Sequence, residues 1–330
     1  MADLALVLII ITVALIFDFI NGFHDSANSI ATVVATNVLK PRTAVLLAAF
    51  WNFAGAFIFS VAVATTIGKN VIDPSSVTLP IILAALLGAI AWNLITWYFG
   101  IPSSSSHALI GGLIGAGIAG AGLGAVHFLG LKLIFIFIIL APLIGFGCAI
   151  LLTVAMMWLL RRASPRKMEW SFKKLQLVSS SLYSLSHGTN DAQKTMGVIT
   201  LVLLTGGLIS EFHVPLWVIL SSYTAIALGT FFGGWRIVKT MGLRITKLRP
   251  FHGCMAETSG SFVLLGTAHF GIPVSTTHVI SGAIMGVGSV KRSSGVRWQI
   301  ARRIVAAWFL TIPLSALAAG IAYFGVSLIL

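Results

Sequence analysis

Charge is what this chain has least of. Only 9% of its 330 residues are Asp, Glu, Lys or Arg, and just 8 are acidic, against about a quarter charged in soluble domains. With 58% of residues hydrophobic, that scarcity excludes a water-soluble core. Two cysteines, Cys148 and Cys254, lie in or beside apolar segments and give no ground for a disulfide framework or a metal site. There is no G-x-x-x-x-G-K-[ST] sequence and no hydrophilic domain to hold one, which excludes a nucleotide-driven pump. The opening "LALVLIIITVALIF" lacks the basic flank and small-residue cleavage site of a secretory leader, so it reads as a structural segment.

What the chain has is a succession of apolar runs long enough to cross about 30 Å of hydrocarbon. They predict a polytopic, all-α membrane protein. The formal net charge of +13 would suit nucleic acid, but its distribution argues otherwise. Of 21 Lys and Arg, 18 fall in four connecting regions: Lys40 and Arg42; Arg161 to Lys174; Arg236 to Arg249; Lys291 to Arg303. By the positive-inside rule these face the cytoplasm. Segments 4–36, 43–67, 77–99 with 107–124, and 132–160 then make a first half that begins outside. Segments 175–208, 214–235, 251–270 with 278–289, and 304–328 make a second half that begins inside. Both termini are thereby expected on the non-cytoplasmic side of the cell (inner) membrane.

The halves also match in sequence. Gly22-x-x-Asp25 parallels Gly188-x-x-Asp191, and "GIPSSSSHALIGGLIGAG" (Gly100 to Gly117) parallels "GIPVSTTHVISGAIMGVG" (Gly271 to Gly288). Opposite orientation with matching motifs is the plan of inverted-topology repeats, here 1–165 and 166–330, with the boundary in the hydrophilic connection 161–174. Each Pro-Ser/Thr loop is expected to form the tip of a re-entrant hairpin. Consecutive hydroxyl residues after a proline leave backbone groups that lipid cannot satisfy, and the helix that follows points its positive end into the cavity it lines.

Two constellations carry chemistry. Ser103, Ser104, Ser105 and Ser106 face, by the repeat, Ser275, Thr276 and Thr277; hydroxyls and helix N-terminal amides suit a tetrahedral oxyanion that must also be released. Among the acidic residues Asp3, Asp73, Glu169 and Glu211 lie in loops or at ends, whereas Asp18, Asp25, Asp191 and Glu257 lie within apolar segments. A carboxylate there is a functional site by default unless it caps or clamps helices. Asp25 and Asn28 share a helix face, as do Asp191 and Lys194, and a carboxylate with an amide oxygen offers hard ligands for Na⁺ or a proton relay. Asp18 and Glu257 have no evident repeat partner. His24 and His187 flank the aspartates and are candidates to carry a proton; His107 and His278 follow the hydroxyl loops as helix-start hydrogen-bonders or as phosphate or proton contacts. Ser106-His107 does not read as a hydrolase pair, since sequence neighbours rarely form a nucleophile and its base and no orienting acid is near.

"FINGFHDSANSIATVV", "SHGTNDAQKTMGVITL" and "GIPVSTTHVISGAIMGVG" resemble the signatures of the inorganic phosphate transporter (PiT) family, in its short bacterial branch. The resemblance spans the chain and implies secondary transport of inorganic phosphate coupled to H⁺ or Na⁺, with no catalytic residue and no cofactor. It implies phosphate binding at Ser103, Ser104, Ser105, Ser275, Thr276 and Thr277. It implies ion coupling at Asp25, Asn28 and Asp191, with Na⁺ there if sodium drives it; Asn190 and Lys194, beside Asp191, are added as coupling candidates from their position. His24, His187, Glu257 and Asp18 are further candidates. The family's Asn-Asp-x-x-Asn pattern is altered here: the second half reads Asn190-Asp191-Ala192-Gln193-Lys194. A tethered ammonium then stands where a mobile cation would bind. Sulfate or a neutral metal–phosphate complex as cargo, and an anion channel, are the competing readings. The partners expected are phosphate, H⁺ or Na⁺ and the bilayer, with a homodimer as the candidate assembly and no role for nucleic acid.

Overall fold

Proline and glycine set where the apolar segments start and stop as helices. In the computed structural model, which describes residues 4–57, 61–73, 76–290 and 292–330, the first half supplies α1 (Leu4–Ala35), α2 (Pro41–Ala54), α3 (Ala62–Asn70), α4 (Leu79–Phe99), α5 (Ser105–Ala121) and α6 (Phe128–Leu159). The second supplies α7 (Pro165–Thr205), α8 (Leu216–Phe232), α9 (Trp235–Lys239), α10 (Pro250–His269), α11 (Thr276–Ser289) and α12 (Trp298–Ser327). Asp3 and Lys291 lie outside the described residues. The chain is an all-helical membrane protein: α1, α4, α6 and α12 are each long and apolar enough to cross a bilayer. Helices α2, α4, α7 and α10 carry proline in their first turn, where a missing N–H leaves nothing unpaired.

One segment that reads as a single span is broken: 43–67 divides into α2, a short 3₁₀ turn at Gly55–Phe57, and α3. Hydropathy is blind to that break, because the residues on both sides remain apolar. Segment 214–235 ends close to where the sequence places it: Gly233, with a φ of 73°, ends α8, and the helix beyond it, in the basic connection, turns away by 61°. The reverse occurs at 161–174: α7 starts at Pro165, so most of the hydrophilic connection is helix. Ser164 caps it by accepting from the Lys167 amide (3.4 Å), and Glu169 pairs with Lys173 one turn on (3.1 Å). Capping and i,i+4 pairing hold a polar helix that a hydropathy reading assigns to loop.

The two halves are interlocked rather than side by side. The α4–α5 hairpin packs on α12, and the α10–α11 hairpin packs on α6, while α1 lies along α8. Small residues allow the approach: a Cβ on Gly115 would stand 2.6 Å from Ala316 Cα, and one on Gly282 3.1 Å from Pro142 Cα. Gly111-x-x-x-Gly115 and Gly282-x-x-x-Gly286 are thus the surfaces through which each hairpin meets the other half. Close backbone contact drives helix association where lipid gives no hydrophobic gain. Large apolar side chains such as Phe50, Phe99, Leu129 and Leu151 point outward, as a hydrocarbon solvent requires.

Inside, the apolar core is split in two. One cluster holds Val7 to Phe17 of α1 and Ala192 to Leu203 of α7. The other holds Ala27 to Val33 of α1 and Phe172 and Tyr183 of α7. Between them α1 and α7 present their polar stretches, and both hairpin tips end at that level.

Candidate functional site

Each hairpin tip is built the same way. Gly100 (φ 64°) and Gly271 (φ 67°) take the left-handed conformation that ends α4 and the turn after α10, a conformation glycine adopts without strain. An Ile-Pro pair follows, then the hydroxyl residues. Ser104 caps α5 by accepting from the His107 amide, and Ser275 caps α11 by accepting from the His278 amide, both at 3.2 Å. The register pairs are therefore Ser104 with Ser275, Ser105 with Thr276 and Ser106 with Thr277. The two tips meet: the His107 and His278 rings lie 4.5 Å apart, edge to face, and His278 stacks on Trp308 at 4.1 Å.

Helices α1 and α7 close the site. Asn28 donates from Nδ2 to Thr277 Oγ1 (2.9 Å) and Thr276 Oγ1 (3.2 Å). Thr276 donates to Asp191 Oδ2 (3.0 Å), and Thr277 to Asp25 Oδ1 (3.4 Å). Lys194 donates to Asp191 Oδ1, to Ser106 Oγ and to the Val274 carbonyl (2.8 Å), so one ammonium ties a carboxylate to both tips. His24 Nδ1 stands 2.8 Å from Asp25 Oδ1. His187 Nε2 stands 3.2 Å from Asp191 Oδ2, and its Nδ1 meets Asn52 Oδ1 at 3.2 Å. Ligand atoms of Asp25, His187 and Asp191 all lie within 4.8 Å of one another, which brings the two repeat aspartates to one place.

The arrangement gathers Ser103 to Ser106, Ser275 to Thr277, Asp25, Asn28, Asp191, Lys194, His24 and His187 around one buried centre. None of the hydroxyl residues is more than 3% exposed, so they are closed off from solvent in this conformation. Ser105 Oγ and Asn28 Oδ1 are buried without hydrogen-bond partners, leaving a donor and an acceptor for a guest. Ser103 instead donates to Thr96 (2.9 Å), which also meets His24 Nε2 (3.1 Å). Asn190 turns to α10, donating to the Leu264 carbonyl (3.3 Å). Glu257 is not at this centre. It accepts from Thr32 (2.5 Å), Ser179 (2.5 Å) and Gln176 (3.0 Å), tying α1, α7 and α10 together. Asp18 lies elsewhere on α1, wholly buried.

Sequence reasoning left Ser106 out of the binding set, although its register match with Thr277 was legible. Thr96, Asn52 and the Val274 carbonyl carried no readable signal, because each is recruited by packing alone.

A match to the phosphate transporter family covers residues 21–170 and 160–319. The chain belongs to that family. Among its relatives, a probable low-affinity inorganic phosphate transporter of Rhizobium meliloti is 54% identical over 321 residues, covering 97% of this chain and 96% of the relative. One of the same description from Bacillus subtilis is 48% identical, covering 99% and 98%. A solved structure titled the sodium-dependent phosphate transporter superposes with a TM-score of 0.89 at 25% identity, covering 99% of this chain and 100% of that one.

Proposed function

We propose that this member of the phosphate transporter family imports inorganic phosphate across the cell membrane by symport, with H⁺ as the driving ion. One observation carries the choice of ion: Lys194 occupies the position of the second amide and pairs Asp191 while reaching both hairpin tips. Asp25, Asp191 and Lys194 together contribute one net negative charge to the centre. An entering phosphate anion adds more, and in a low dielectric that repulsion must be relieved by a bound cation. Phosphate and cation therefore bind together, which is the condition for coupled transport. A proton meets that need next to His24 and His187; a second metal ion would sit against the Lys194 ammonium.

In this reading Ser105 and the hydroxyls of Ser106, Thr276 and Thr277 hold phosphate, with Ser103, Ser104 and Ser275 shaping the two tips. Asp25, Asn28 and Asp191 answer to the coupling ion. Residues 1–165 and 166–330 act as inverted repeats, both termini are non-cytoplasmic, and the two hairpins are re-entrant gates rather than full spans. Sodium has one specific support: the Asp25–His187–Asp191 cluster with the unpartnered Asn28 oxygen offers a ligand set that Na⁺ would accept.

Uptake of labelled phosphate into proteoliposomes, with pH and Na⁺ gradients imposed one at a time, tests the proposal. Saturable accumulation driven by an inward proton gradient is expected. Accumulation that needs Na⁺ and ignores the pH gradient overturns H⁺ coupling, and non-saturable flux that follows phosphate alone would indicate a channel.

A further inference from the structure

Four carboxylates are buried among the described residues: Asp18, Asp25, Asp191 and Glu257. Asp25 has His24 and Thr277; Asp191 has Lys194, His187 and Thr276. Glu257 accepts three hydrogen bonds from neutral donors. Asp18 alone accepts none at either oxygen, at 0% exposure.

Its surroundings are built for a carboxyl group. Thr195 of α7 and Asn21 of α1 lie against it, and Thr195 Oγ1 and Asn21 Oδ1 are themselves buried without hydrogen-bond partners. The only donors against it are these two neutral side chains, and neither reaches Asp18 in full hydrogen-bond geometry, a costly arrangement for an ionised acid. One proton on Asp18 turns it into a donor and lets it pair with either neighbour. The ionisable groups facing it are Asp191 and Lys194 of α7 and Tyr223 of α8, and Lys194 already serves Asp191 and Ser106. No ammonium is free to hold an ionised Asp18.

Position makes this more than a local oddity. Asp18 precedes Asp25 by seven residues, two turns, so it lies on the same face of α1, about 10 Å nearer the N-terminal end at 1.5 Å per residue. By the loop charges that end is the outer one.

We infer that Asp18 is the outer binding site of the driving proton, and that its charge sets the affinity of the phosphate site two turns away. The inference rests on the symport reading. The step is a simple protonation: the Asp18 carboxylate takes one proton from external water, becomes a neutral carboxyl bonded to Thr195 or Asn21, and returns the proton to water on the other face. Removing a negative charge within electrostatic reach of Asp191 and Lys194 favours the phosphate anion, and bound phosphate favours the proton by the same factor.

The Asp18→Asn variant separates this from a permanently protonated structural acid, because asparagine copies the neutral form. Proteoliposomes carrying labelled inorganic phosphate are assayed for exchange and for accumulation driven by a pH gradient. In Asp18→Asn, exchange should remain measurable while accumulation falls about tenfold or more, and phosphate affinity should lose its dependence on pH, as linkage requires. Asp18→Glu should regain accumulation with a shifted pH profile. Accumulation equal to wild type in Asp18→Asn overturns the assignment. So does a wild type driven by Na⁺ whose sodium dependence disappears in Asp18→Asn, and so does equal loss of exchange and accumulation in both variants. Absence of phosphate exchange in the wild type would instead refute the symport reading itself.

Discussion

Lys194 stands to Ser106 as Asn28 stands to Thr277. Each pair joins the polar stretch of one half to the hairpin tip of the other: Asn28 of α1 donates to Thr277 (2.9 Å), and Lys194 of α7 donates to Ser106. The replacement of an amide by an ammonium keeps the hydrogen bond and adds a charge. That charge neutralises Asp191 and nothing in the other half has its equivalent, so the two halves of the site are alike in shape and unlike in electrostatics.

Lys194→Asn should restore the amide pattern at the expense of the ion pair. Proton-driven phosphate uptake is expected to fall and a Na⁺ dependence to appear, measured with the two gradients applied separately. Lys194→Met, which leaves Asp191 buried without its cation, should lower stability by roughly 3–5 kcal/mol, the usual cost of breaking a buried pair. Thermal unfolding in detergent reads it. A Lys194→Met protein as stable as wild type, with unchanged uptake, would show that the pair matters to neither.

The hydroxyl pairs should act through affinity. Ser105→Ala with Thr276→Ala, and Ser106→Ala with Thr277→Ala, each remove two donors from the centre. About 1–3 kcal/mol per pair, or about 5- to 150-fold in apparent phosphate affinity, is the expected loss. Arsenate, with the same shape and charge, should compete well; sulfate, which carries no donor at neutral pH, should compete poorly. Unchanged uptake in both double variants would remove phosphate from the hairpin tips.

Asp25→Asn and Asp191→Asn preserve shape and remove charge. Gradient-driven accumulation should be lost in both while binding of phosphate, followed by its protection against heat unfolding, declines less. Concentrative uptake that survives in both variants would take the coupling ion away from these carboxylates.

Glu257→Gln tests a clamp, not a carrier. The carboxylate accepts from Thr32, Ser179 and Gln176, and a glutamine there turns one acceptor into a donor facing donors. A stability loss of about 1–3 kcal/mol is expected, with the choice of driving ion unchanged. A switch in ion dependence would move Glu257 into the coupling machinery.

The sequence by itself determined the solvent, the helices and the pairing of motifs. Those follow from properties that a linear chain carries: apolar runs the length of a bilayer, prolines that open α2, α4, α7 and α10, and the matched "GIPSSSSH" and "GIPVSTTH" loops. Even Lys194 was visible as a departure, since it breaks the Asn-Asp-x-x-Asn pattern of the family that the sequence resembles. Only the tertiary structure decided which of these residues meet. Hydropathy could not see segment 43–67 divide between α2 and α3, because apolar residues continue on both sides of the turn. Nor could it distinguish Asp18 from Glu257, two buried acids of equal standing in sequence. Their difference is in their neighbours: Thr32, Gln176 and Ser179 hydrogen-bond Glu257 from two other helices, and neither oxygen of Asp18 has a fully formed hydrogen bond. A buried charge is settled by what packs against it from elsewhere in the chain, and packing partners dozens to hundreds of residues apart are set by the fold.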